Sequence, residues 1–226
     1  MTGKAVRRPL PVAAVLFDLD GTLADSAGDL ALALNRVRAD AGLPPVPTEP
    51  LRAYASSGAR GLLEAGMGVT PAHADYDALR HAFLAHYERC LADTTRLYEG
   101  VAELLDTIEA RGLAWGIVTN KHARFTVPVV AALALAPRAR VVVSGDTTPN
   151  PKPHPAPLLH AAAALAVAPE ACVYVGDDLR DVEAGRAAGM ATIVAGYGYM
   201  GQSGDPAQWP ATGWIARPLD LLDWLP

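Results

Sequence analysis

From Tyr98 onward the chain alternates short apolar runs with helical stretches, and this alternation limits the possible folds more than any other feature. Residues 114–118, 141–144, 173–175 and 192–195 read as buried strands. Residues 101–110, 125–135, 157–165 and 182–188 read as the intervening helices, with Gly112 and Gly189 as C-terminal stops. An earlier apolar run, 12–17, reads as one more strand. Strand and helix in alternation predict a parallel sheet with helices on both faces, a Rossmann-like doubly wound α/β core.

The first strand is separated from the others by a stretch with only helical pattern. Ser26 is placed to cap a helix running to about residue 41, stopped by Gly42. Pro44, Pro45 and Pro47 force a turn, and residues 48–72 read as short helices broken by Gly58, Gly61, Gly66 and Gly68. In residues 74–92, Leu79, Phe83, Leu84 and Tyr87 recur at helical spacing. The economical reading is an insertion: an all-helical cap domain over 25–96, within a core domain built from 1–24 and 97–226.

Composition narrows the function. The chain has 226 residues, 51% hydrophobic and 19% charged, with a formal net charge of −5, which excludes a disordered chain. Its two cysteines, Cys90 and Cys172, cannot build a disulfide scaffold or a Cys-rich zinc site, and fit a reducing, cytoplasmic setting. The net negative charge and lack of a long basic run argue against nucleic acid as a partner. No apolar run reaches the roughly 18 residues of a membrane span. Lys4, Arg7 and Arg8 precede an apolar stretch, but Pro9 and Pro11 interrupt it and Asp18 and Asp20 end it, so it reads as a tail entering a strand. The expected partner is a small-molecule phosphate ester; oligomeric state is left open.

In open parallel sheets, ligands bind beyond the carboxyl ends of the strands. Asp18-Leu19-Asp20-Gly21-Thr22-Leu23 follows the first predicted strand, and Thr119-Asn120-Lys121 the second. The third leads to Lys152-Pro153, and the fourth to Gly176-Asp177-Asp178 with Asp181 one turn later. Asp-x-Asp-Gly alone also begins calcium loops, but here the sixth position lacks Gly and the twelfth lacks Glu. Carboxylates, a hydroxyl and an ammonium at one sheet edge suit phosphoryl transfer. Of Asp18 and Asp20, two apart, one can attack phosphorus and the other can move the proton of the leaving oxygen. Asp18 and Asp177 suit Mg²⁺, which prefers oxygen ligands, and Lys152 adds positive charge. The Thr119 hydroxyl and neighbouring N–H groups can hold phosphate oxygens.

These motifs resemble the four signature motifs of the haloacid dehalogenase-like superfamily, in the subgroup with a helical cap inserted after the first. The resemblance implies Asp18 as nucleophile and Asp20 as acid/base. It implies Thr119, Asn120 and Lys152 at the phosphate. Mg²⁺ would be held by the side chains of Asp18 and Asp177 and the main-chain carbonyl of Asp20, with Asp181 behind them. Asp178 has no assigned role. Asp25-Ser26 and the stretch 152–158 resemble phosphoglycolate phosphatases. Ser57-Gly58-Ala59-Arg60, the segment 115–121 with Arg124-Phe125, and the segment 176–181 resemble N-acetylmuramic acid 6-phosphate phosphatases more closely. Tyr197-Gly198-Tyr199 fits both.

Both substrates carry a carboxylate, which an arginine grips bidentately, so Arg60 is the candidate substrate-binding residue. Its competing role is an exposed helix pair with Glu64. Lys121, His122 and Arg124 could also line the pocket, and His73, His81 and His86 read as solvated surface. The cap would hinge near Asp25 and Arg96. Asp20 argues against a dehalogenase, and the absence of Lys from 25–96 against a Schiff-base hydrolase of the superfamily. A sugar phosphomutase and a non-catalytic binding module remain as alternatives.

Overall fold

The computed structural model describes residues 9–226; the tail with Lys4, Arg7 and Arg8 lies outside them. The first strand, β1 (Ala14–Phe17), is buried along its whole length. Val15 and Phe17 join one hydrophobic cluster, and Ala14 and Leu16 join another on the opposite face. This two-sided burial is why its residues are apolar without alternation.

The chain then passes through a two-residue strand, β2 (Ala24–Asp25), into four helices: α1 (Ala27–Asp40), α2 (Arg52–Ala55), α3 (Gly58–Met67) and α4 (Tyr76–Glu88). It returns through β3 (Arg96–Leu97), which pairs antiparallel with β2 so that Asp25 faces Arg96. There follow α5 (Val101–Ala110), β4 (Ala114–Val118), α6 (Ala123–Ala132), β5 (Val142–Val143) and α7 (Ala156–Ala164). The last part holds β6 (Cys172–Gly176), α8 (Leu179–Ala187), β7 (Ala191–Ala195) and β8 (Gly213–Ile215). The six sheet strands lie in the order β5-β4-β1-β6-β7-β8, every neighbouring pair parallel. The connections run outward from β1 to one edge and then return to its other side, so β1 marks a switch point in the topology. Leu104, Leu105 and Ile108 of α5 and Val129 of α6 cover one face. Leu158, Ala161 and Ala162 of α7 and Ala184 of α8 cover the other.

The sheet and its helices follow the sequence expectation, with three differences of physical interest. First, α3 runs unbroken through Gly61 and Gly66. A Cβ at Gly66 would lie 2.4 Å from the Leu34 side chain, so this glycine permits close packing on α1, and one at Gly61 would lie 2.9 Å from Tyr54 O of the preceding turn. Second, α8 begins three residues early, because Asp178 caps it. The Asp178 carboxylate accepts from Arg180 N, and Asp181 Oδ2 accepts from Asp178 N. Third, β8 escaped notice: it is three residues long at the sheet edge, with Trp214 exposed. No described helix is long and apolar enough to cross a membrane.

The four helices between β2 and β3 share a core of their own, including Leu30, Leu34, Leu62, Leu63 and Phe83. Phe125 of α6 and Tyr199 enter that cluster from the sheet side. At its base the buried Asp29 carboxylate accepts four hydrogen bonds. The Thr94 and Thr95 main-chain N–H groups supply two, and their hydroxyls the others, at 2.6 to 3.1 Å. Asp29→Ala leaves those donors without an acceptor and is expected to destabilise the protein by about 3 kcal/mol in urea unfolding. Asp29→Asn, which keeps one acceptor oxygen, should cost less.

Candidate active site

β1 ends at Phe17, but the ladder continues one residue, with Asp18 N bonded to Val175 O at 2.9 Å. Leu19 and Leu23 turn into the core and the chain reverses at Gly21, whose φ of +84° lies in the left-handed region. Asp18 and Asp20 therefore reach one cleft from a loop instead of sharing a strand face. Asp18 Oδ1 accepts from Leu19 N at 2.7 Å and pairs with Lys152 Nζ at 3.0 Å.

Lys152 is buried and its ammonium has several partners. Besides Asp18, it reaches Asp181 Oδ1 at 2.7 Å, the Tyr174 hydroxyl at 2.7 Å and Val118 O at 3.1 Å. Burial opposes the charge, but Asp18 and Asp181 together hold it above the ordinary lysine range. Asn120, expected at the phosphate, has its side chain committed elsewhere: Nδ2 donates to Lys152 O and Oδ1 accepts from Lys152 N. Its amide fixes the lysine backbone. Thr119 is buried at the cleft, and its Oγ1 accepts from Lys121 N.

Asp177 lies on the far side of Asp18. Carboxylate oxygens of Asp18, Asp177 and Asp181 lie within 4.8 Å of one another. Burial, then repulsion from Asp18 and Asp181, pushes Asp177 well above the usual carboxylate range, against hydrogen bonds from Tyr199 N and Thr22 Oγ1. Burial is also the main cause raising Asp18 to about 6, offset in part by Lys152. Lys152 contacts Asp18 and Asp181 but leaves Asp177 without a counter-charge, so the three carboxylates fit an oxygen-preferring cation. The backbone permits close approach here through two glycines. A Cβ at Gly21 would lie 2.2 Å from Asp177 Oδ2, and one at Gly198 would lie 2.3 Å from Gly21 O.

The surroundings of Asp20 were not apparent from the sequence. Ser26 was expected to cap α1, but its hydroxyl donates to Asp20 Oδ1 at 2.5 Å, and α1 begins without a side-chain cap. Instead the Tyr199 hydroxyl accepts from Ser26 N and Ala27 N. Lys121 Nζ lies 2.9 and 3.0 Å from the two Asp20 oxygens. Asp178 pairs with Arg180 at 2.8 Å, and Arg180 also donates to Ser56 O of the helical segment. Of the histidines read as surface, His86 is partly buried and contacts Asp40 at 2.7 Å. His122 is exposed and lies 3.6 Å from Asp146.

The cleft between these loops and the helices has a volume of about 310 Å³. Arg60 and Arg80 line it from the helical side, with Phe83, Leu84 and Phe125 as apolar wall. Arg60 is exposed at its rim.

The profile of the haloacid dehalogenase-like hydrolase family matches residues 15–195. An N-acetylmuramic acid 6-phosphate phosphatase of Pseudomonas aeruginosa is 42% identical over 210 residues, 93% of each chain. A phosphoglycolate phosphatase of Xanthomonas campestris is also 42% identical, over 93% of this chain and 95% of its own. The crystal structure of a predicted phosphoglycolate phosphatase from Haemophilus somnus superposes with a TM-score of 0.82 at 27% identity, covering 94% of this chain and 97% of that one.

Because Asp18 and Asp177 bind protons more tightly folded than unfolded, the metal-free protein loses stability as pH rises. The loss begins near pH 4, the ordinary carboxylate value, continues through about 6 for Asp18, and extends higher for Asp177. Thermal unfolding should show a lower Tm at pH 7.5 than at pH 5. A divalent cation should raise Tm more at the higher pH.

Proposed function

The chain belongs to the haloacid dehalogenase-like hydrolase family and is a phosphoric monoester hydrolase, and from that premise we propose a mechanism and a substrate. Asp18 is the nucleophile. Its Oδ1 is held by Leu19 N and Lys152, which leaves Oδ2 to attack phosphorus. The Asp18–phosphorus bond forms as the ester oxygen leaves, and Asp20 gives that oxygen a proton. Asp20 then takes a proton from water as the water oxygen attacks phosphorus and the Asp18 bond breaks. Thr119 and Lys152 hold the phosphate oxygens, and Asn120 serves by fixing Lys152.

The side chains of Asp18 and Asp177 and the main-chain carbonyl of Asp20 would hold Mg²⁺, with Asp181 behind. Bound there, the ion supplies positive charge against the repulsion between carboxylate and phosphate dianion. Asp181 keeps its place through Lys152, Tyr174 and Asp178 N. Residues 25–96 act as a cap over the core formed by 1–24 and 97–226, hinged at the Asp25–Arg96 pair, and exclude water from the first step. Two buried free thiols, Cys90 and Cys172, fit a cytoplasmic enzyme.

The observation that favours a substrate is the cleft. At about 310 Å³, with apolar walls and two arginines, it suits an amino-sugar phosphate that bears a carboxylate. N-acetylmuramic acid 6-phosphate, the substrate in the name of the Pseudomonas aeruginosa relative, is the best fit. Phosphoglycolate is the second reading, favoured by the equal identity to the Xanthomonas campestris enzyme. It would leave most of the cleft empty. Arg60 takes the carboxylate in either case.

With Mg²⁺ present, Asp18→Asn should reduce phosphate release to background. Across N-acetylmuramic acid 6-phosphate, phosphoglycolate and hexose phosphates, kcat/KM should be highest for the first. A higher value for phosphoglycolate would select the second reading, and isomerised product in place of free phosphate would indicate a mutase. Arg60→Ala should raise KM for carboxylated esters about 10-fold and leave a plain hexose phosphate nearly unchanged.

A further inference from the structure

Asp20 is held by Ser26 just before α1, by Lys121 of the loop after β4 and, at one remove, by α4. Ser26 Oγ and Lys121 Nζ both donate to Oδ1, whereas Oδ2 takes only Lys121. Lys121 in turn donates to the Tyr87 hydroxyl at 2.6 Å. Lys121 is 8% and Asp20 16% exposed at the side chain, so water competes little for these bonds. Tyr87 belongs to α4, and its ring is fixed between Phe83, at 6.4 Å, and Phe125 of α6, at 5.4 Å. Lys121 lies 4.8 Å from the same ring centre. The hydroxyl thus reaches Lys121 with the helical segment seated against α6.

We propose that Tyr87 and Lys121 are positioning residues for Asp20: the α4 hydroxyl orients the Lys121 ammonium, which sets the Asp20 carboxyl toward the leaving oxygen. This rests on the reading of Asp20 as proton donor. Oδ1, with two donors, is the more firmly anchored oxygen, and Oδ2 is the one turned toward the leaving oxygen. Seating of the helices and readiness of the acid are thus linked through one hydroxyl.

The test uses leaving-group dependence. A hexose 6-phosphate needs a proton on its departing oxygen, whereas p-nitrophenyl phosphate releases a stable anion without one. Because kcat/KM reports steps through departure, it isolates this role from the later attack of water. Asp20→Asn should lower kcat/KM for the hexose ester at least about 100-fold and for the aryl ester far less. If it lowers both alike, the reading of Asp20 itself fails. Granted that selectivity, Tyr87→Phe should lower the hexose value about 10-fold and the aryl value less than about 2-fold, at a Tm near that of the parent. Lys121→Met, which leaves α4 untouched, should show the same selectivity more strongly. The double variant should be no worse than Lys121→Met alone, because Tyr87 acts through Lys121. Equal losses on both esters in the single variants, or additive losses in the double, would overturn the proposal.

Discussion

The Lys152 ammonium between Asp18 and Asp181 is the interaction on which the rest of the sheet edge depends. It brings a residue from the loop before α7 against β1 and against the start of α8. A charge this deeply buried is tolerated only when its donors are taken up, and Val118 O and the Tyr174 hydroxyl complete the set. Asn120 secures the lysine backbone, Asp178 caps the helix that carries Asp181, and Gly21 and Gly198 let the opposing loops close over Asp177. Each of these residues answers a demand created by concentrating charge in a dry place.

The helical segment meets the same edge by a different logic. Its contacts with the core include Tyr199 beneath the start of α1, Ser26 on Asp20, Arg180 on Ser56 O, Lys121 on the Tyr87 hydroxyl and Phe125 under the Tyr87 ring. Its own interior is apolar, joined from the sheet side by Phe125 and Tyr199. Arg52 adds an ion pair with Asp25 at 2.9 Å, at the point where the segment leaves the sheet.

Much of this was legible in the sequence, for reasons that can be stated. Buried parallel strands must be apolar on both faces, so the runs 12–17 and 173–175 read as strands, close to the observed Ala14–Phe17 and Cys172–Gly176. Ligands in such a sheet bind beyond the strand ends, so Asp18, Thr119, Lys152 and Asp177 can be placed at one edge from the sequence alone. What stayed hidden were partnerships across long sequence separations. Tyr87 lay on the apolar stripe of a helix, and nothing local distinguishes a packed ring from one with a working hydroxyl. Ser26 sat where a cap belongs, yet Asp20 claims its hydroxyl. Asn120 looked like a phosphate ligand because it adjoins Thr119, while its amide serves Lys152. Gly66 looked like a helix breaker because the packing of Leu34 against α3 joins residues far apart in sequence. Tyr174 interrupts an apolar run with a polar tip, and that mismatch was the one signal that could have been followed to the Lys152 site.

The short ribbon of β2 and β3, with Asp29 bound to Thr94 and Thr95 beside it, brings the two ends of the helical segment together. Seen from the sheet, the chain leaves β1 and returns toward α5 at almost the same point. The entropy of closing a long loop between β1 and β4 is then met within the insertion's own folding, and it grows only slowly with the number of residues enclosed. The segment can lengthen, shorten or exchange its helices while the strand order is preserved. Under the proposed function, the part that would choose among esters and the part that would cleave them are thereby free to diverge at different rates within one chain.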